Sequence, residues 1–190
     1  NTSDGDSNMK YLIATVALAT TLAAPVFAEE TFTLTSPDIA EGQQLDNTFV
    51  LNGFGCEGGN ISPALEWSNA PEGTKSFVVT AYDPDAPTGS GWWHWVAFNI
   101  PADVTSLDQG AGTANGEMPA GAIQSRTDFG ATGFGGACPP AGEVHRYEFK
   151  VHALGVEALE LDENASAALV GFMTGANALG TAELTAVYTR

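Results

Sequence analysis

SFVVTAYDPDAPTGSGWWHWVAFNI, residues 76–100, is the stretch from which the fold is read. Ser76 to Tyr82 is an apolar run of residue types that suit strands, and it breaks at Asp83. Pro84 and Pro87 stiffen the backbone beyond the break, so Asp83 and Asp85 project from a rigid loop at a strand end. Gly89, Ser90 and Gly91 then turn the chain into a second run, Trp92 to Ile100. That run is largely apolar on both faces, the mark of a central strand, and its His94 shares a face with Val96, Phe98 and Ile100. Two carboxylates and an imidazole are thereby expected to converge at one end of a strand pair. A Pro-Asp turn with solvated acids and a packed core histidine is the plain alternative.

Outward from this pair, short β-rich runs alternate with clusters of Gly, Pro, Asn and Asp, the pattern of a sandwich or barrel rather than of βα units. Further strands are expected at 31–35, 48–51, 64–67, 122–125, 144–154 and 183–188. A helix is expected over 165–179, where Leu169, Phe172, Met173, Ala176 and Leu179 recur at helical spacing, with Asn164 as cap and Gly180 as stop. In VHRYEFKVHAL, residues 144–154, alternation puts His145, Tyr147, Phe149, Val151 and Ala153 on one face. Arg146, Glu148, Lys150 and His152 fall on the other, so His145 and Tyr147 point inward and His152 does not.

Residues 1–8 read as an upstream extension and 9–28 as a secretory signal peptide: Met9-Lys10 is the charged start, Tyr11 to Ala24 the apolar run, Val26-Phe27-Ala28 the cleavage site. The apolar run falls short of the roughly 20 residues that span a bilayer, so no stable membrane anchor is expected. Residues 29–190 then form a single domain with a full core. Six Lys and Arg stand against 23 Asp and Glu, a net charge of -17, which leaves no electrostatic footprint for nucleic acid or an anionic membrane surface. Cys56 and Cys138 lie in similarly worded loops, GFGCEGG and GFGGACPP. An even count in an exported chain favours a disulfide, with two buried thiols as the alternative. Such a bond closes a loop of about 80 residues, which the chain-entropy model values at roughly 4–5 kcal/mol less any native strain.

Four segments carry a family likeness: GFGCEGGNISPALEW (53–67), YDPDAPTGSGWWHWVAFNIP (82–101), RTDFG (126–130) and CPPAGEVHRYEFKVHAL (138–154). With them the sequence resembles the phosphatidylethanolamine-binding protein family, in its bacterial Raf-kinase-inhibitor-like branch, over nearly all of residues 31–190. The resemblance implies a mainly β fold, a β-sandwich of two antiparallel sheets in Greek-key arrangement with a small helical supplement that includes a C-terminal helix. It also implies a small pocket at one end for phosphate, phosphorylethanolamine or acetate-like anions. Asp83 and Asp85 match the family's DPD aspartates, His94 its pocket histidine, and Pro140, His145 and Tyr147 its second pocket segment. The loop from Pro140 to His145 is shorter by one residue than in animal members, and TAELTAVYTR replaces the C-terminal helix that covers the pocket there.

The chemistry suits such a pocket. An aspartate within about 4–6 Å of an imidazole favours the protonated ring, so an Asp and His pair can present a charged N–H to an anion. Tyr147 adds a hydroxyl donor, and the Gly- and Pro-rich loops are expected to free backbone N–H groups as a nest.

Rival readings are weaker. GFGCEG, DFG and His145-Arg146 resemble kinase fragments, but HR follows DFG and Tyr147 stands where the catalytic Asp belongs. No helix follows the glycines, which removes a dinucleotide fingerprint. Metal ligation by His94, His145, Asp83 and Asp85 lacks any close-spaced HxH or HExxH, and a hydrolase lacks an identifiable nucleophile. The expectation is a non-enzymatic protein exported to the bacterial periplasm, without cofactor, binding a small anionic or phosphate-bearing ligand. A protein-interaction module inhibiting an extracytoplasmic protease or acting on another protein partner is the alternative.

Overall fold

Ser76–Asp83 (β5) and Trp92–Pro101 (β6) pair antiparallel on either side of the rigid loop, as expected. The computed structural model describes residue 2 and residues 30–190, so the expected signal peptide and all but residue 2 of the expected upstream extension lie outside the described residues. Around β5 and β6 a five-stranded antiparallel sheet is completed by Ile123–Gln124 (β8), Val144–Leu154 (β9) and Ala178–Thr189 (β10), in the order β10-β9-β5-β6-β8. Thr33–Thr35 (β1), Leu65–Ser68 (β4) and Ser106–Leu107 (β7) form a three-stranded sheet in the order β1-β4-β7. Asn52–Gly53 (β2) and Cys56–Glu57 (β3) make a small hairpin, and Ala167–Asn177 is the helix α1.

Strand alternation divides the interior into two cores. Phe77, Val79 and Ala81 of β5 join Trp95 and Ala97 of β6, Phe149 and Val151 of β9, and Leu65 and Trp67 of β4 between the two larger sheets. Val78, between them in sequence, points the other way and packs with Val96, Phe98 and Leu154 under Val170 of α1. Each large apolar side chain so enclosed contributes about 1.5–3 kcal/mol. The order of layers is therefore small sheet, main core, large sheet, second core, helix. No helix among the described residues is long and apolar enough to cross a membrane.

Several expected elements differ. Residues 48–51 are not a strand, because the Asp46 carboxylate accepts from the Thr48 amide at 2.9 Å and from its hydroxyl at 2.6 Å, winding Asn47–Phe49 into a 3-10 turn. Ser166 rather than Asn164 caps α1, accepting from the Leu169 amide. The helix ends at Asn177 and Gly180 does not stop it: Ala178 already pairs with Leu154, and Gly180 sits inside β10 against Pro71, where a Cβ would come within 2.8 Å of Cγ. The short strands β2, β3 and β7 carried no readable pattern.

The largest departure concerns His94. Ala81 pairs with Trp95 but Tyr82 with Trp93, so His94 is an extra residue on β6, a β-bulge. A second slip follows near Asn99, whose φ is 56°. The expected common face of His94, Val96, Phe98 and Ile100 is split: Val96 and Phe98 face α1, Ile100 faces the main core, and His94 turns to the end of the sandwich.

Candidate functional site

At that end a cavity of about 170 Å³ opens between the loop after β5, the start of β6, the segment 138–140 and the start of β9. Its walls are apolar: Phe54, Ala86, Pro87, Trp92, Phe129, Pro139 and Pro140. Its polar groups are Asp83, Thr88, His94, His145 and Tyr147. The Cys56–Cys138 disulfide, with Cα atoms 6.0 Å apart, fastens the β2–β3 hairpin to the proline wall. Phe54 and Gly55 form the tip of that hairpin with φ of 52° and 83°, the positive values a tight two-residue turn demands. Arg190 ties the same two parts together, donating from Nε to the Pro139 carbonyl at 2.7 Å and from its guanidinium to Gly55 at 3.1 Å.

His145 is clasped by two carboxylates. Its Nδ1–H donates to Asp83 Oδ2 at 2.7 Å and its Nε2–H to Glu143 Oε2 at 3.0 Å, and since both partners are acceptors the ring carries both protons. Burial opposes that charge, but the two carboxylates outweigh it and hold the imidazole above its ordinary pKa. Asp83 is itself buried and fixed, its other oxygen accepting the Asp85 amide at 2.8 Å.

His94 is the opposite case. Nδ1–H donates to the Gly135 carbonyl at 2.7 Å, and enclosure in the pocket wall pushes protonation below the ordinary range despite that bond and the nearby Asp83. The ring is neutral, and its Nε2 is an acceptor. Tyr147 packs edge-on against it at 5.1 Å. The Tyr147 hydroxyl and Trp92 Nε1 are both buried; the Cys138 amide faces the Tyr147 oxygen, but among the described residues neither the Tyr147 O–H nor the Trp92 N–H has an acceptor. Burial raises the Tyr147 pKa far above the usual phenol range, with the Asp83 charge adding to it, so the hydroxyl remains a donor.

The sequence model of the phosphatidylethanolamine-binding protein family matches residues 35–189. The chain belongs to this family. The UPF0098 protein YbcL of Escherichia coli strain K12 is 57% identical over 183 residues, covering 95% of this chain and 98% of that one. The UPF0098 protein YbhB of the same organism is 56% identical over 155 residues, covering 82% and 98%. The crystal structure of E. coli YbcL, presented as a new member of the mammalian PEBP family, superposes with a TM-score of 0.82 at 59% identity, covering 86% of this chain and 99% of that one.

In this phosphatidylethanolamine-binding family member, Asp83, His94, Pro140, His145 and Tyr147 share the cavity. Asp85 does not line it. Arg146, which faces outward because it alternates with His145, takes both Asp85 oxygens at 2.8 and 2.9 Å and adds its own amide at 2.9 Å. Those bonds pull the Asp85 pKa down to about 2, so this carboxylate anchors the loop to β9. His94 is no imidazolium donor, for the burial just described. The glycine loop supplies no nest from Gly135 or Gly136 either, since their amides donate to the His94 carbonyl and to Asn60 Oδ1.

Contributors that went unread in the sequence include Phe54, Trp92 and Phe129 of the lining, and Glu143 beside His145. RTDFG was the available signal for Phe129, because Asp128 Oδ2 accepts the Trp93 amide at 2.7 Å and so sets the Phe129 ring 5.3 Å from His94. Among the described residues, no cluster of three or more His, Cys, Asp or Glu side chains is arranged to hold a metal.

Proposed function

We propose that the protein is an exported, non-catalytic binder of small phosphate-type anions. The observation that carries this reading is a pair of buried donors without acceptors among the described residues, Tyr147 Oη and Trp92 Nε1, on two residues that line one cavity with the doubly protonated His145. A buried donor without an acceptor costs about 1–3 kcal/mol, which an oxyanion accepting from both would recover. Neutral His94 complements them by accepting a hydrogen bond from a ligand P–OH. The volume, about 170 Å³, supports a headgroup-sized ligand, since pockets for drug-sized molecules run from about 300 Å³ upward.

Non-catalytic use is supported by the chemistry of the lining groups. Cys138 is held in the disulfide, and the Thr88 hydroxyl donates to the Gly91 carbonyl rather than to a base. Export is supported by that disulfide, which persists in oxidising compartments, and by a relative in Mycobacterium tuberculosis, LppC, whose name proposes a lipoprotein; it is 34% identical over 177 residues, 91% of this chain and 81% of that one.

Tyr147→Phe tests the reading because it deletes a hydroxyl without an acceptor and keeps the ring. Stability in urea should stay the same or rise, while calorimetric affinity for inorganic phosphate and phosphorylethanolamine falls about 3- to 12-fold, the value of one hydrogen bond. Equal affinity in both proteins, or no binding to the parent at millimolar phosphate, would overturn it.

A further inference from the structure

The oxygen on His145 Nε2 comes from the protein's own Glu143. The two carboxylates on this ring are unlike. Asp83 is only 4% exposed in its side chain and is locked by the Asp85 amide, whereas the Glu143 side chain is 53% exposed. The bond to His145 is the sole hydrogen bond of the Glu143 carboxylate among the described residues. Its backbone belongs to the turn that links the wall residue Pro140 to β9, with the Glu143 amide donating to the Pro140 carbonyl at 3.1 Å and Gly142 at φ 83°. A half-exposed side chain on a turn can leave its partner without disturbing a core.

Glu143 also satisfies only part of the pocket. It accepts the His145 Nε2–H and leaves the Tyr147 hydroxyl and Trp92 Nε1 without acceptors among the described residues. It places a second negative charge against a single imidazolium, in a chain whose net charge is already -17. An arriving anion therefore meets a site whose charged donor is taken and whose neutral donors are open.

We propose that Glu143 is an internal competitor for the anion site: its carboxylate occupies the ligand's place on His145 Nε2, and a ligand binds by displacing it. The inference rests on the oxyanion reading of the pocket. It sets a threshold for every ligand. A monocarboxylate that reaches only Nε2 replaces one carboxylate with another and gains nothing. A tetrahedral oxyanion, such as a phosphate monoester or sulfate, has further oxygens for Tyr147 and Trp92 and clears the threshold.

The test is calorimetric or NMR titration of the full-length mature protein with sodium sulfate, whose charge is constant over the working range. It is run at about pH 6, below the ordinary imidazole pKa of about 6.5, with Asp83 still in place to keep His145 protonated. Glu143→Ala should bind sulfate about 3- to 10-fold more tightly than the parent, as expected for removal of a half-exposed charged hydrogen bond. Glu143→Gln, which keeps an acceptor oxygen without the charge, should fall between the two. Glu160→Ala, an exposed site beside the second core, should match the parent and so separate occupation of the site from loss of one negative charge. Acetate should gain by a similar factor, because the cost of moving Glu143 is common to both ligands. If the parent binds sulfate and Glu143→Ala binds it no more tightly, the competitor is refuted while the oxyanion reading stands. If neither protein takes sulfate, the oxyanion reading fails and the competitor with it.

Discussion

His145 and His152 lie on the same strand, β9, and their pKa values are shifted in opposite directions. Their odd separation puts them on opposite faces. His145 faces inward to the buried Asp83 and the half-exposed Glu143, and is held protonated. His152 lies half-buried on the other face of the sheet, beside α1, where its Nδ1 meets the Thr181 hydroxyl at 2.9 Å. There burial first, then the Lys150 ammonium two residues earlier, push its pKa down to about 4. The same residue type on the same strand thus becomes a charged donor or a neutral polar group, because parity puts it on opposite faces that hold different partners. A register slip of one residue would exchange the two.

The difference should be largest in stability. Asp83→Ala leaves an enclosed imidazolium with only the exposed Glu143, and breaking a buried pair from one side costs about 3–5 kcal/mol. Glu183→Ala removes the acid 3.3 Å from Lys150 on the outer face, where an exposed pair is worth at most about 1 kcal/mol. Urea unfolding of both variants measures this, and similar losses would break the comparison.

A smaller contrast belongs to binding. At about pH 6, where His145 is charged, adding His145→Ala to Glu143→Ala should weaken sulfate binding by about 10- to 150-fold, the worth of a charge-assisted hydrogen bond that no Glu143 contact offsets. His152→Ala should leave it within about twofold. Titration by calorimetry decides, and matching losses would mean that the pocket face confers nothing.

The smallest effects are in titration. NMR of the imidazole rings should find His145 losing its proton above the ordinary value of about 6.5 and His152 gaining one only near pH 4. The signs in stability are opposite. A raised pKa in the fold gives His145 a contribution that is complete below the unfolded value and is lost as pH rises through the folded one. For His152, and for buried His94, the lowered pKa gives a contribution present above the unfolded value and lost as pH falls. Lys150→Gln should raise the His152 pKa only part of the way, because burial is the larger cause and remains. Full recovery to the ordinary value would show that the charge, not burial, governs it.

What the sequence by itself determined is what depends on composition and parity. The runs at 76–82, 92–100 and 144–154 read as strands because their apolar and β-branched content suits a pleated, buried surface, and alternation told His145 from His152 before any contact was known. Cys56 and Cys138 were paired by an even count, and the motifs pointed to the family. The tertiary structure alone decided what depends on partners far along the chain. His94 reaches the pocket because β6 has one residue more than β5 at that point, a mismatch between two strands that neither strand's pattern contains. Asp85 leaves the pocket because Arg146, 61 residues away, lies beside it. Tyr147 and Trp92 lack acceptors, and Glu143 reaches His145, only through the way loops pack around one small cavity. Local pattern specifies which face a side chain takes; the identity of the group that meets it there is set by register and packing between distant segments.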